Sequence, residues 1–514
     1  MSAQEEAQGA CNECGWRIQP PPKRPPQSAA PVVKPPKEGG FFKRNKVWLA
    51  LVVLAAVAAG VYFGTADLRA YNHARALYEQ GAYAQAIEAF EPIESYRDAQ
   101  DWLEKSYYEL GSQAYEEQAY EQAIGYLEQA GDTEQAEELL HRCQYDYGHS
   151  LFLQGAYDRA QTYLDELGED ADEYGPAHFA SVEQARETII AQALDTEPTI
   201  RLYIGDLDEV MDTADGRRGL INVAQSERGA ITCDAQDKLL TITPTYYPGI
   251  RIAKAWRTGD FRSLNADEQA AYERAKTVVA QAKAETSGTL ELERWLNDYL
   301  CAHVAYTNEG SPADDLSLAR YWTAVGALLD GKANCQGFAD AFYLLGTMAG
   351  YEVRYQFGQG GNELHVWNVI ELEGQWYNVD VTYNNGLDVI EKAPRTYAYL
   401  NFAADANAEH TPRVYSEVAE IAPNTPAALD EYRAQGQAYA SLQEAADACI
   451  RQRQSDGRHV VYVRVDNVSY SSEQMSEALK SLLSQRGIAA SWMVYSNALK
   501  NSVTFTVQWQ SFQG

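Results

Sequence analysis

The order of apolar and polar positions divides the chain into blocks of different period. Residues 47–66, VWLALVVLAAVAAGVYFGTA, are twenty uncharged positions between Lys46 and Asp67. As a helix rising about 1.5 Å per residue they would reach roughly 30 Å, the thickness of a bilayer's hydrocarbon core. This run reads as a single transmembrane helix. Over 67–195 the pattern becomes helical, with an internal repeat. EQGAYAQAIEAF, EEQAYEQAIGYL and FLQGAYDRAQTYL align so that Tyr83, Tyr120 and Tyr157 stand 37 residues apart, as do Ala82, Ala119 and Ala156, and Phe90, Leu127 and Leu164. Small residues at fixed offsets let paired helices approach, and large ones fill the seam.

Further along, Cys335 opens a helix on which Phe338, Phe342, Leu345 and Ala349 recur at helical spacing, and Gly350 stops it. Two strands follow, over 364–372 and 375–382, joined at Glu373-Gly374. Two smaller segments each read strand, helix, strand, strand. The first is Thr199–Ile204, a helix near Asp206, Ala230–Cys233 and Leu239–Thr243; the second is Val460–Val465, Ser472–Gln485, Ser491–Tyr495 and Val503–Trp509. A duplicated module would account for both. The fold class is multidomain α and α+β. Its expected parts are a tail over 1–46, the transmembrane helix over 47–66, an α-helical repeat stalk over 67–195, a small α/β module over 196–262, a central α+β domain over 263–425 and a second small α/β module over 426–514.

Charge narrows the partners. The 514 residues hold 73 Asp and Glu against 42 Lys and Arg, a net charge of −31 that repels phosphate backbones and excludes nucleic acid. The tail is the exception, with eight basic and four acidic residues and with Lys43, Arg44 and Lys46 at the apolar edge. The positive-inside rule then puts the N-terminus in the cytoplasm and the bulk outside the cell membrane. Eight of the chain's 18 prolines also fall in this tail, a composition of extended spacers. Ahead of them, Cys11 and Cys14 form one CxxC, half of a tetrahedral zinc site. It resembles half of a zinc ribbon; two chains sharing one metal and a degenerate remnant both stay open. The remaining cysteines are too scattered for a disulfide scaffold. Cys143, Cys233, Cys301 and Cys449 read as packed, and His410 as an exposed loop residue. The repeats resemble tetratricopeptide repeats lengthened to 37 residues, which implies either a groove for a protein partner or an inert stalk.

The chemistry concentrates in 331–383. A thiol in the first turn of a helix feels the positive end of the helix dipole, which favours thiolate. If Leu372 opposes Gln375 across the turn, Trp367 faces Asp380 and His365 faces Thr382. His365 and Asp380 then share one face as diagonal neighbours, within side-chain reach. A carboxylate beside an imidazole orients it and leaves the other ring nitrogen to take a proton from the thiol.

Cys335-Gln-Gly-Phe-Ala, His365-Val-Trp-Asn and Trp376-Tyr-Asn-Val-Asp380-Val-Thr resemble the core of the transglutaminase-like superfamily, across about 264–412. The resemblance implies a papain-like α+β fold with Cys335 as nucleophile, His365 as base and Asp380 as orienting acid. It also implies an oxyanion hole built from the nucleophile's own N–H and an upstream side chain, for which Tyr306 is the candidate. Nothing resembles the calcium sites of animal transglutaminases, so no cofactor is expected. Together with the anchor, the resemblance implies a bacterial surface enzyme acting on amide bonds of a protein or peptide, such as a cell-wall peptide, through a thioester. Water would make it a protease or amidase, and an amine a transamidase. The alternative is a catalytically silent scaffold at the cell surface.

Overall fold

The computed structural model describes residues 51–57, 64–168, 171–224, 226–234, 237–307, 318–385, 394–404, 406, 409–412, 420–457, 459–468, 471–486 and 492–509. Two units divide the chain, one through Leu103 and one from Glu104. Among the described residues no helix is long and apolar enough to cross a membrane, which corrects the transmembrane helix of the expected fold class. Of the run 47–66, residues 51–57 are helical, while 47–50 and 58–63 lie outside the described residues. The tail with Cys11 and Cys14 also lies outside them.

In the first unit, α1 (Ala66–Glu79) and α2 (Tyr83–Phe90) form a hairpin. The Tyr71 hydroxyl donates to Asp98 at 2.6 Å, and its ring meets Phe90 edge-on. The pairing recurs in α3 (Ala99–Glu116) with α4 (Tyr120–Leu127), and in α5 (Glu134–Leu153) with α6 (Tyr157–Asp165). Each short helix starts after an alanine in one conformation: φ −88° and ψ 59° at Ala82, −85° and 59° at Ala119, −87° and 57° at Ala156. The seam has its own rule. A Cβ on Gly111 would lie 2.6 Å from Leu127 Cγ, and one on Gly148 would lie 2.7 Å from Leu164 Cγ. The likeness of these hairpins to tetratricopeptide repeats rests on the sequence spacing alone.

The second unit continues through three four-stranded sheets. The first takes β1 (His178–Phe179), α7 (Val182–Leu194), β2 (Ile200–Ile204), α8 (Ala214–Val223), β3 (Ser226–Asp234) and β4 (Leu239–Tyr246), in the order β1-β2-β4-β3. Three helices follow: α9 (Pro248–Thr258), α10 (Ala266–Glu285) and α11 (Thr289–His303). The central domain then has β5 (Ala305–Tyr306), β6 (Lys332–Ala333), α12 (Cys335–Ala349), β7 (Val353–Gly360), β8 (Glu363–Leu372), β9 (Gln375–Val379), α13 (Val381–Asn385) and β10 (His410–Pro412). Its sheet runs β10-β7-β8-β9, antiparallel throughout. Phe338, Phe342 and Leu345 of α12 are fully buried, each contributing about 1.5–3 kcal/mol over exposure. The third sheet takes β11 (Ala438–Tyr439), α14 (Leu442–Asp456), β12 (Val460–Asp466), α15 (Ser472–Gln485), β13 (Trp492–Leu499) and β14 (Ser502–Trp509), in the order β11-β12-β14-β13.

The outer sheets share strand order and pairing sense, with the two-residue strand parallel to its neighbour and the rest antiparallel. Their first helices are capped alike. Ser181 accepts from Gln184 N–H while Gln184 accepts from Ala180 N–H; Ser441 and Glu444 repeat this with Ala440. In the first module the sheet also claims β1 and α7, upstream of the boundary drawn at 196. A two-residue strand is too short to alternate, so the helical period of α7 merged with the repeats.

Candidate active site

Cys335 is the first residue of α12, half-buried, with Asn334 as the N-cap. The Asn334 side chain accepts from Gly337 N–H at 3.1 Å, which fixes the turn that carries the thiol. Two buried polar ties hold this helix to the strands. Asn368 of β8 donates to the Ala339 carbonyl at 3.1 Å, and Tyr355 of β7 donates to Asp340 at 2.6 Å. Asp340 also accepts from the Gly249 and Ala324 N–H groups, which brings α9 and the segment before α12 into the same anchor.

The strands take the expected register, with Leu372 opposite Gln375 and Asn368 opposite Val379. The turn has φ of 55° at Glu373 and 78° at Gly374, both positive as a tight hairpin requires. The second strand ends at Val379, three residues short of the reading. Asp380 instead starts a helical turn. Its Oδ1 accepts from Tyr383 N–H at 2.9 Å, and Asn384 of that turn donates to Asn297 of α11. The other oxygen, Oδ2, accepts from His365 Nε2 at 2.6 Å. Cys335 acts electrostatically on the same imidazole, so the structure brings Cys335, His365 and Asp380 together. With Nε2 on Asp380, Nδ1 is the ring nitrogen left for sulfur.

The electrostatics oppose burial and overcome it. Burial alone would lower the His365 value, but the charge and hydrogen bond of Asp380, with a smaller part from Cys335, push it up to about 10. Burial would raise Asp380, yet the His365 charge and the hydrogen bonds of His365 and His410 hold it well below the usual carboxylate range. Tyr306 is drawn in through β5, which pairs with β6 so that Tyr306 lies opposite Ala333, two residues before the thiol. Burial, then the Cys335 charge, push its hydroxyl up to about 12, so it stays a donor. The Tyr383 ring lies 4.8 Å from that of His365.

His410 overturns its reading as an exposed loop residue. It is 6% exposed, and its Nε2 lies 2.8 Å from Asp380 Oδ2. A lone histidine outside any periodic stretch carries no local signal of this; pairing of β10 with β7 brings it in. The donor atoms of His365, Asp380 and His410 all lie within 4.8 Å of one another and are the metal-capable group among the described residues. At 2.6 and 2.8 Å, however, each nitrogen shares a proton with one oxygen, the geometry of charge-assisted hydrogen bonds. Cys143, Cys301 and Cys449 are buried, as read. A cleft of about 570 Å³ lined by Asn401, Glu431, Arg464 and Ser502 includes no triad residue.

Residues 273–381 match the Transglutaminase-like superfamily. The chain is 28% identical over 137 residues to kyphoscoliosis peptidase of Mus musculus, and to the same extent to that of Homo sapiens. Each match covers 24% of this chain and 20% of the relative, so the chain spans only a fifth of the length of those proteins. A solved structure titled "Crystal structure of a TGase" is 14% identical with a TM-score of 0.22, covering 40% of this chain and 59% of that one. From the family match, and from the order of motifs that supply Cys335, His365 and Asp380, the chain carries a transglutaminase-like domain.

Proposed function

We propose that the domain is a cysteine enzyme that cleaves or exchanges amide bonds through a thioester. The observation that carries this reading is the 2.6 Å bond from His365 to a buried Asp380, with the charge of a half-buried helix-start cysteine acting on the same ring. Packing alone has no use for this arrangement. The Cys335 thiolate attacks the carbonyl carbon, and the electron pair of the C=O bond moves to oxygen. We assign Tyr306 and the Cys335 N–H as the donors to that oxyanion. The oxyanion collapses, the C–N bond breaks, and His365 gives its proton to the departing amine. Water, losing a proton to His365, attacks the thioester carbon; the C–S bond breaks, freeing the Cys335 thiolate and the acid, and an amine in place of water forms a new amide. A protein or peptide is the substrate class.

The test is the rate of Cys335 alkylation against pH in the full chain, followed by peptide mapping, for wild type, His365→Ala and Asp380→Ala. Fast labelling that persists well below about pH 8 and is lost in His365→Ala supports a poised thiolate. A titration near the ordinary thiol value of about 8.5, unmoved by either substitution, would sink the enzyme reading in favour of a silent scaffold.

A further inference from the structure

Asp380 holds two imidazoles on one oxygen. Oδ2 accepts from His365 at 2.6 Å and from His410 at 2.8 Å, while Oδ1 accepts from Tyr383 N–H at 2.9 Å. An ionised carboxylate can only accept, so both ring nitrogens donate. Three donors therefore set the plane of a carboxylate that is 1% exposed. His410 is itself held in place. It sits opposite Gly360 in the β10–β7 pair, ringed by Trp367, Tyr383, Tyr399 and Phe402 with centroids 5.0, 4.8, 5.4 and 4.9 Å away. Its Nδ1 has no hydrogen-bond partner among the described residues. A buried nitrogen without a partner is destabilising, so an apolar side chain would suit this aromatic cage better if packing were the only demand.

The geometry points to His410 as a positioning residue for the triad: it holds Asp380 Oδ2 in line with His365 and so keeps the imidazole oriented for Cys335. This rests on the cysteine-enzyme reading above. His410 touches no reacting atom. Without its donor, Oδ2 keeps one partner in a buried site, the carboxylate rotates or takes up a proton, and His365 loses the charge that faces it.

The test uses the full chain and iodoacetamide, with labelling read at Cys335. His410→Leu fills the cage without a donor, whereas His410→Gln restores an amide N–H near the position of Nε2. At about pH 6, His410→Leu should label about tenfold or more slowly than wild type, since one pK unit changes the thiolate fraction tenfold. His410→Gln should recover most of the rate. Both variants should match wild type at about pH 10, where thiolate forms unaided. Equal rates for wild type and His410→Leu near pH 6, with His365→Ala slow, would overturn the positioning role and leave the enzyme reading standing. Slow labelling of wild type itself would overturn the enzyme reading, and this role with it. Should His410→Leu lose its circular dichroism spectrum, His410→Ala against His410→Gln decides on the same terms.

Discussion

Gly360 shows how little room the imidazole has. A Cβ there would lie 2.7 Å from the Tyr383 hydroxyl and 2.9 Å from His365 Cγ, closer than real carbon contacts allow. Gly360→Ala should displace His365 and slow Cys335 alkylation at about pH 6 by roughly tenfold, at a stability cost of about 1–3 kcal/mol. Unchanged labelling would show that the ring tolerates the shift. His365 also makes a pH-dependent contribution to stability. Its folded value, about 10, lies above its ordinary 6.5, so the contribution is complete below 6.5 and is lost as pH rises through about 10. Asp380 is shifted the opposite way, so its contribution persists above the ordinary carboxylate range and is lost only in stronger acid. In urea titrations, the stability gap between wild type and His365→Ala should shrink over pH 6.5–10; a gap constant across that window would refute the pairing. Cys335, His365 and Asp380 were legible because each sits in a local motif. His410 was not, because only strand pairing brings it within 2.8 Å of Asp380, thirty residues away in the chain.

At the scale of elements, the site depends on α12 being held against β7 and β8. Asp340, 0% exposed, accepts from Gly249 N–H at 3.0 Å, Ala324 N–H at 2.6 Å and the Tyr355 hydroxyl at 2.6 Å. Asp340→Asn replaces one of the accepting oxygens with an amino group aimed at donors. We expect a loss of roughly 3 kcal/mol in urea denaturation, and slower Cys335 labelling as the helix start loosens. A stability within about 0.5 kcal/mol of wild type would mean that the anchor is dispensable. From the sequence, Asp340 is only a polar misfit in the apolar run Phe338–Leu345. Its role becomes visible once Gly249, 91 residues upstream, is found beside it. The hairpin of β8 and β9 is the opposite case, since Glu373-Gly374 and the flanking alternation set its register locally.

For the whole molecule, stability should respond to the buried acids of α11. Glu293 of α11 is 0% exposed; Asn401 donates to one oxygen, and the other has no partner among the described residues. Burial pushes its carboxyl up to about 8, and the neighbouring Asp298 up to about 7. A raised carboxyl binds its proton more tightly in the folded chain, so stability falls as pH rises from the ordinary 4.5 toward 8. Glu293→Gln should flatten that fall, with a gain on the order of a few kcal/mol near pH 8. Parallel stability–pH curves for the two proteins would refute the buried charge. The outer modules also belong to this scale. They share one strand order and matching serine caps at Ser181 and Ser441.

Short-range rules by themselves determined the start of α12 at Cys335, its stop at Gly350, the turn at Glu373-Gly374 and the 37-residue helical spacing. Side-chain period, caps and positive φ act within a few residues, so a linear reading contains them. Tertiary structure alone decided that Asp380 ends a strand by capping a helix, that Tyr306 lies opposite Ala333 of β6, and that β1 joins a sheet with β2. It also decided that His410 is buried against the triad. The apolar run 47–66 shows the limit from the other side, for apolar content met the length for a membrane span while no described helix does. Burial and long-range hydrogen bonds depend on which segments meet, and no local period records that.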